Sequence, residues 1–159
     1  MSIRRILTSA LLTIVLVAGA SSAAAQQQPE NLDVEKVLAE IRPYKHDFFI
    51  KKLKLTKEQA SEYLPLYDQM EDELMSINQE IRELERTVLE NPSATDEEIE
   101  AAARATFEQK QREAQTEMAY FEKFSNILTP RQLLQIKSVE KQFTQRLART
   151  HRKMRRNRD

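Results

Sequence analysis

Side chains able to do covalent or metal chemistry are scarce in this sequence. It holds two histidines, His46 and His151, and no cysteine among 159 residues. Two isolated imidazoles supply no Ser/His/Asp or Cys/His set, so no catalytic residue is assigned. Transition-metal sites want several imidazole or thiolate ligands, so no metal site is assigned either. Met70, Met75, Met118 and Met154 offer soft sulfur for copper(I), but Met70 and Met118 fall on apolar helical seams and read as core. The sole glycine, Gly19, leaves nothing to build a phosphate-cradling loop, and no nucleotide or other cofactor is expected. The chemistry that remains is non-covalent binding.

Two groups of residues suit it. Flexible methionine and flat aromatic surfaces make permissive contacts, and Phe48, Phe49, Leu66, Met75, Phe121 and Phe124 include positions off the strict helical seams. Each of them also suits a core or a dimer interface; a thin fold would leave some exposed. The second group is a basic C-terminal tail, with Arg149, Arg152, Lys153, Arg155, Arg156 and Arg158. Residues 26–145 carry 16 Lys and Arg against 24 Asp and Glu, a net charge of −8, whereas residues 146–159 carry seven against one, a net of +6. Such a tail suits anionic lipid head groups, an acidic partner or an acidic unfolded chain. It also suits the negative end of a helix dipole with no further role. Nucleic acid is chemically possible but not expected, because Arg4, Arg5 and the apolar stretch after them read as an export signal.

The elements that position these residues announce themselves through two matching pentads, Leu55-Thr56-Lys57-Glu58-Gln59 and Leu128-Thr129-Pro130-Arg131-Gln132. Each has the chemistry of a helix start. The threonine hydroxyl can accept from the N–H three residues on, and the glutamine there can reach back to the threonine N–H. The leucine before each cap can staple onto Ala60 or Leu133, and Pro130 falls at the first helical position, where proline is favoured.

On these two pentads, the long charged span between them and an export signal made of Arg4 and Arg5, the apolar stretch Ile6 to Ala18 and Ala23-Ala24-Ala25, the chain resembles, over residues 40–145, the LTxxQ family of Gram-negative periplasmic proteins. That family includes the Spy and CpxP envelope-stress proteins. The resemblance implies a cradle-shaped antiparallel homodimer with a concave face. It implies an ATP-independent chaperone or holdase for unfolded or misfolded envelope proteins, located in the periplasm and acting in envelope stress. The family also contains stress-response regulators that bind one membrane signalling protein, of the sensor-kinase or anti-sigma type, which is the alternative reading. Some relatives bind zinc, nickel or copper through histidine-rich segments; two isolated histidines make that role the least favoured.

Hydrophobic spacing fills in the helices. A first helical region covers 32–53, with Val34, Val37, Leu38, Ile41, Phe48 and Leu53 near one face and Pro43 kinking or splitting it. Lys54-Leu55 connects it to a long helix after Thr56. There Tyr63, Tyr67, Met70, Leu74, Ile77, Ile81, Leu84 and Val88 alternate spacings of four and three, the heptad seam of coiled-coil packing. Pro65 bends this helix and Asn91-Pro92-Ser93 stops it. A third capping box, Thr95 with Glu98, starts a helix over 96–127. Its seam reads as Ala103, Phe107, Ala114, Met118, Phe121 and Leu128, interrupted by Lys110, Gln111 and Ser125. The fourth helix starts at Pro130 and carries Leu133, Ile136, Val139, Phe143 and Leu147. No segment reads as a strand. With no glycine after Gly19, turns needing positive φ must use Asn or be avoided.

The expected fold is therefore all-α. A helix over 57–90 is about 50 Å long, whereas a compact globule of this length is about 35 Å across. Long helices in an open, curved, hairpin-like layer, covered by dimerisation, satisfy both. The domain expectations are a signal peptide over 1–25, a disordered leader over 26–31, the helical domain over 32–148 and the basic tail over 149–159.

The signal rests on Arg4 and Arg5, an apolar stretch from Ile6 to Ala18 too short to span a bilayer, and Ala23-Ala24-Ala25 before Gln26. No cysteine follows it, so lipid attachment through one is excluded. Cleavage after Ala25 predicts that N-terminal sequencing of periplasmic protein reads Gln-Gln-Gln-Pro. Recovery of the uncleaved chain in the membrane fraction would contradict it.

Overall fold

The computed structural model describes residues 34–156. The expected signal peptide 1–25, the leader 26–31 and Arg158 lie outside the described residues, as do the side chains of Val34, Val37, Leu38, His151, Met154 and Arg155. The described residues form four α-helices and no strand: α1 Val34–Leu53, α2 Lys57–Glu90, α3 Asp96–Ser125 and α4 Pro130–Arg156. The fold is all-α. The chain divides into two compact units, one holding α1, Lys54, Leu55 and α4 from Gln135 onward, the other running from Thr56 to Leu134.

Neither internal proline breaks its helix. Pro43 and Pro65 lie within α1 and α2, and both helices run on through them. Both prolines are exposed, as are Ala39 and Ser61 one turn earlier, so water can take up the freed carbonyls. The split allowed for at Pro43 does not occur. α3 ends at Ser125, slightly before the expected 127, and α4 continues through the basic segment as far as Arg156.

The α1 C-terminus corrects one expectation. Lys54 takes φ 52°, the left-handed region, although such turns were expected to use Asn or be avoided. The following Leu55 N–H donates to the Ile50 carbonyl at 3.1 Å, the closing bond of a Schellman turn. A side chain at such a position costs about 1–2 kcal/mol; the bond and the burial of Leu55 offset it.

In the first unit, Phe48 of α1 meets Phe143 of α4 with ring centroids 5.5 Å apart. Phe49, Leu53, Ile136 and Val139 are buried with them. Cations cover the edges of this small core: Lys45 lies 5.6 Å from the Phe49 ring and 5.9 Å from Phe143, and Arg146 lies 5.7 Å from Phe48.

In the second unit, α2 and α3 pair antiparallel. The partners show it, because residue numbers rise on α2 as they fall on α3: Glu73 with Tyr120, Asn78 with Glu113, Glu80 with Arg112, Glu85 with Thr106. The α2 seam is as read from the sequence. Tyr63, Tyr67, Met70 and Ile81 are buried, and Leu74, Ile77, Leu84 and Val88 are half-buried. The turn between the two helices is held by Asn91, whose side-chain oxygen accepts from the Ser93 N–H at 3.0 Å.

The two pentads meet at the end of this unit. Gln59 returns to the Thr56 N–H at 3.2 Å and Gln132 to the Thr129 N–H at 2.9 Å, so both N-termini carry the reciprocal bonds of a capping box. The two carboxamides also pair with each other, Gln59 Nε2 to Gln132 Oε1 and Gln132 Nε2 to Gln59 Oε1, both at 3.0 Å. Gln59 Nε2 donates further to the Ile127 carbonyl at 3.1 Å, in the turn before α4. Gln132 is 8 % exposed, the one polar residue buried to this degree among the described residues.

The pair explains why these boxes use glutamine. A cap needs only an acceptor, and Glu98 serves at α3, where no second cap is bridged. The cross-bridge needs a donor as well, which a carboxylate lacks. Gln132→Glu keeps the acceptor, removes the bridge donor and buries a charge against the Gln59 oxygen. It should destabilise the protein by about 1–3 kcal/mol, whereas Glu98→Gln should change stability little. Urea midpoints of the two variants check this; a Gln132→Glu protein as stable as the parent would show that the bridge carries no weight.

Candidate functional site

Helix α3 has two faces of heptad spacing, and the structure buries the less apolar one. The inward face runs through Ala102, Thr106, Gln109, Glu113, Tyr120 and Phe124. At its base Phe124 sits among Tyr63, Tyr67 and Tyr120, with ring centroids 4.8, 6.4 and 6.0 Å away. Above that aromatic cluster the seam turns polar. Asn78 Nδ2 donates to Glu113 Oε1 at 2.8 Å, and Gln109 Nε2 donates to both Asn78 Oδ1 and Glu113 Oε1 at 2.8 and 2.9 Å. Thr106 donates to Glu85 at 3.0 Å. Arg112 closes the flank with a two-pronged bond to Glu80, which holds that carboxyl below the usual carboxylate range.

The outward face carries five of the six residues the sequence suggested as seam, Ala103, Phe107, Ala114, Met118 and Phe121, all exposed; the sixth, Leu128, lies past the helix end and is buried. Phe107 is 86 % exposed and Met118 59 %. Ile99 extends the same stripe toward the helix start. From Ile99 to Phe121 the stripe runs about 33 Å along the helix. Charged side chains flank it, including the Glu100–Arg104 pair at 3.3 Å, and α3 as a whole carries eight acidic and four basic residues.

The candidate contact residues therefore divide. Phe121 is exposed on the stripe. Leu66 and Met75 are half-buried on α2. Phe48, Phe49 and Phe124 are core residues, with only an edge of Phe48 reaching a cleft; Phe124, at 3 % exposure, is closed in by three tyrosines. The expectation that Phe124 faces a binding surface is corrected. It lies four residues after Tyr120 and so follows the inward register. The sequence reading missed Phe107 as surface because the inward face, with Thr106, Gln109 and Glu113, is poorer in apolar residues than the outward one. Counting apolar residues selects the wrong stripe. The polar residues of α2 opposite, Asn78 and Glu85, were the signal for the true one. Ile99, Leu89 and Leu134, all largely exposed, were not singled out either.

The other group also takes shape. Arg149, Arg152, Lys153 and Arg156 are exposed on α4 and together line one shallow concavity. A cleft lined by Tyr44, Asp47, Phe48, Lys51, Phe143 and Arg146 opens in the same unit. His46 is half-buried on α1. Among the described residues no cluster of three or more His, Asp or Glu could hold a metal ion, and no helix is long and apolar enough to cross a membrane. No family model matches this chain, and no curated protein or solved structure matches it significantly.

Tyr120 fixes α3 so that the stripe faces outward, and it does so through a titratable bond. Its hydroxyl donates to Glu73 Oε1 at 2.5 Å. Burial first, then this bond and the charges of Glu73 and Asp72, push the phenol up to about 12 from 10.0. Below pH 10 both folded and unfolded chains keep the proton, and the contribution to stability is complete. As pH rises from 10 to about 12 only the unfolded chain ionises, and the contribution is lost. Tyr120→Phe should therefore lose stability less steeply than the parent over that interval, as read from thermal unfolding at stepped pH. Parallel curves would show that the phenol keeps an ordinary pKa.

Proposed function

We propose that this protein is a periplasmic, ATP-independent holdase of the Spy/CpxP type that works as a cradle-shaped antiparallel homodimer in envelope stress, and that its clients are unfolded or misfolded envelope proteins touching the outer face of α3. One observation carries this reading: the row of Phe107, Met118 and Phe121 left in solvent on a highly charged helix. An isolated exposed apolar residue means little, but a helical row of them marks an interaction surface. Methionine and phenylalanine adapt to many shapes, and no single deep pocket imposes a sequence on the bound chain. The charged flanks keep the stripe soluble and attract unfolded chains at a rate that falls with salt. The paired pentads and the export signal support the same reading through their resemblance to the LTxxQ family.

Light scattering with several unrelated chemically unfolded proteins tests it. The parent should slow their aggregation without ATP, more effectively at low salt. Phe107→Ser combined with Met118→Ser should remove most of the protection while stability stays within about 0.5 kcal/mol, as for other exposed positions. Analytical ultracentrifugation accompanies the assay. If the variant sediments as a monomer where the parent is a dimer, the stripe is the dimer interface and clients bind elsewhere. If the folded parent protects no client at several-fold excess, the holdase reading fails and the regulator of one signalling partner replaces it.

A further inference from the structure

We propose that the C-terminal half of α4 is a docking face for a phosphate-bearing lipid surface. Arg152 and Lys153 lie three and four residues after Arg149, and Arg156 lies four and three residues after them, so the four share one side of a continuous helix about 10 Å long between the first and last. All four are exposed, and none makes an ion pair or side-chain hydrogen bond with a described residue. Like charges at these spacings repel, which favours any anion that gathers them. The helix dipole accounts for cations in the last turn only; Arg149 stands nearly two turns before Arg156. Within the sequence of α4 no carboxylate lies between Glu140 and Asp159.

The residue types point to phosphate. Six of the seven cations in residues 146–159 are arginine, against six of 16 in residues 26–145. The planar guanidinium fork grips phosphate oxygens in pairs, which an ammonium does not. The shape points to a surface. The four side chains border an open, shallow concavity with no enclosing wall, so they suit several phosphates on a plane better than one small anion. A second copy of the chain is the competing occupant, since its hairpin is acidic. Many of those carboxylates already have donors of their own: Glu80 holds Arg112, Glu83 Arg86, Glu100 Arg104, and Glu73, Glu85 and Glu113 serve the α2–α3 seam. A lipid surface brings unpaired phosphates. This face uses none of the residues of the α3 stripe, and it holds the protein at a membrane without inserting any helix.

Vesicle co-sedimentation tests the proposal, with the chain expressed in a secreting host so that its leader is processed naturally. Vesicles of three parts phosphatidylcholine to one part phosphatidylglycerol should bind it at least about tenfold more tightly than pure phosphatidylcholine, given the contribution of each cation near an anionic bilayer. Binding should vanish as salt rises from about 0.1 M to about 1 M, where the Debye length falls from about 10 Å to about 3 Å. Replacing Arg149, Arg152, Lys153 and Arg156 by Gln should abolish the preference. Replacing Lys57, Arg82, Arg104 and Lys110 by Gln removes the same charge elsewhere and should leave it intact. Equal loss in both variants, equal binding to both vesicles, or salt-resistant binding would overturn the proposal. So would self-association that depends on the four cations without vesicle binding, which would assign the face to a second copy.

Discussion

The second unit depends on two carboxamides placed face to face. Gln59 and Gln132 each complete a helix cap, and the same oxygens and nitrogens then join the caps to each other. The start of α2 and the start of α4 are 73 residues apart in sequence, yet they become one hydrogen-bonded assembly. Gln59 reaches the Ile127 carbonyl as well, so the turn leading into α4 is tied in. Gln132 is buried and Gln59 half-buried, so losing a bond of the bridge would leave a partly desolvated polar group unsatisfied, and that cost makes the arrangement specific. The aromatic cluster of Tyr63, Tyr67, Tyr120 and Phe124 completes the core of this unit.

Away from that cluster, the α2–α3 hairpin is held by polar seam contacts as much as by apolar ones. On α3, Thr106, Gln109 and Glu113 occupy positions that leucine would fill in a dry coiled coil, and Asn78 and Glu85, each next to a seam residue of α2, bond to them. Such contacts fix register, because a shift by one residue would strand each donor. They also release the apolar residues of α3 from the core. Phe107 and Met118 are on the surface because the inward heptad is taken by a hydrogen-bonded set that pairs with α2.

Charge is divided as sharply as polarity. The α2 and α3 helices carry most of the acidic residues, and their carboxylates serve caps, seam contacts and short ion pairs. The end of α4 gathers arginine, and no acid lies in sequence between Glu140 and Asp159. Exposed ion pairs on the hairpin contribute little stability individually; their effect is to occupy carboxylates. The two surfaces therefore differ in kind, one apolar within a charged frame and one purely cationic.

Much of this was legible in the residues themselves. The caps at Thr56, Thr95 and Thr129 follow from side-chain reach within four residues, and the α2 seam follows from a heptad rich enough to have one answer. The positions of Phe143 and Ile136 in α4 follow for the same reason. Sequence determined these because each depends on local spacing. Tertiary structure decided what depends on partners far along the chain. It chose the polar face of α3 over the apolar one, since Asn78, Glu85 and Glu73 lie opposite with matching donors and acceptors. It put Phe124 in the core beside Tyr63, and gave Lys54 a left-handed turn that only the bond from Leu55 to Ile50 makes tolerable. It paired Gln59 with Gln132, which each pentad read alone presents as nothing more than a cap.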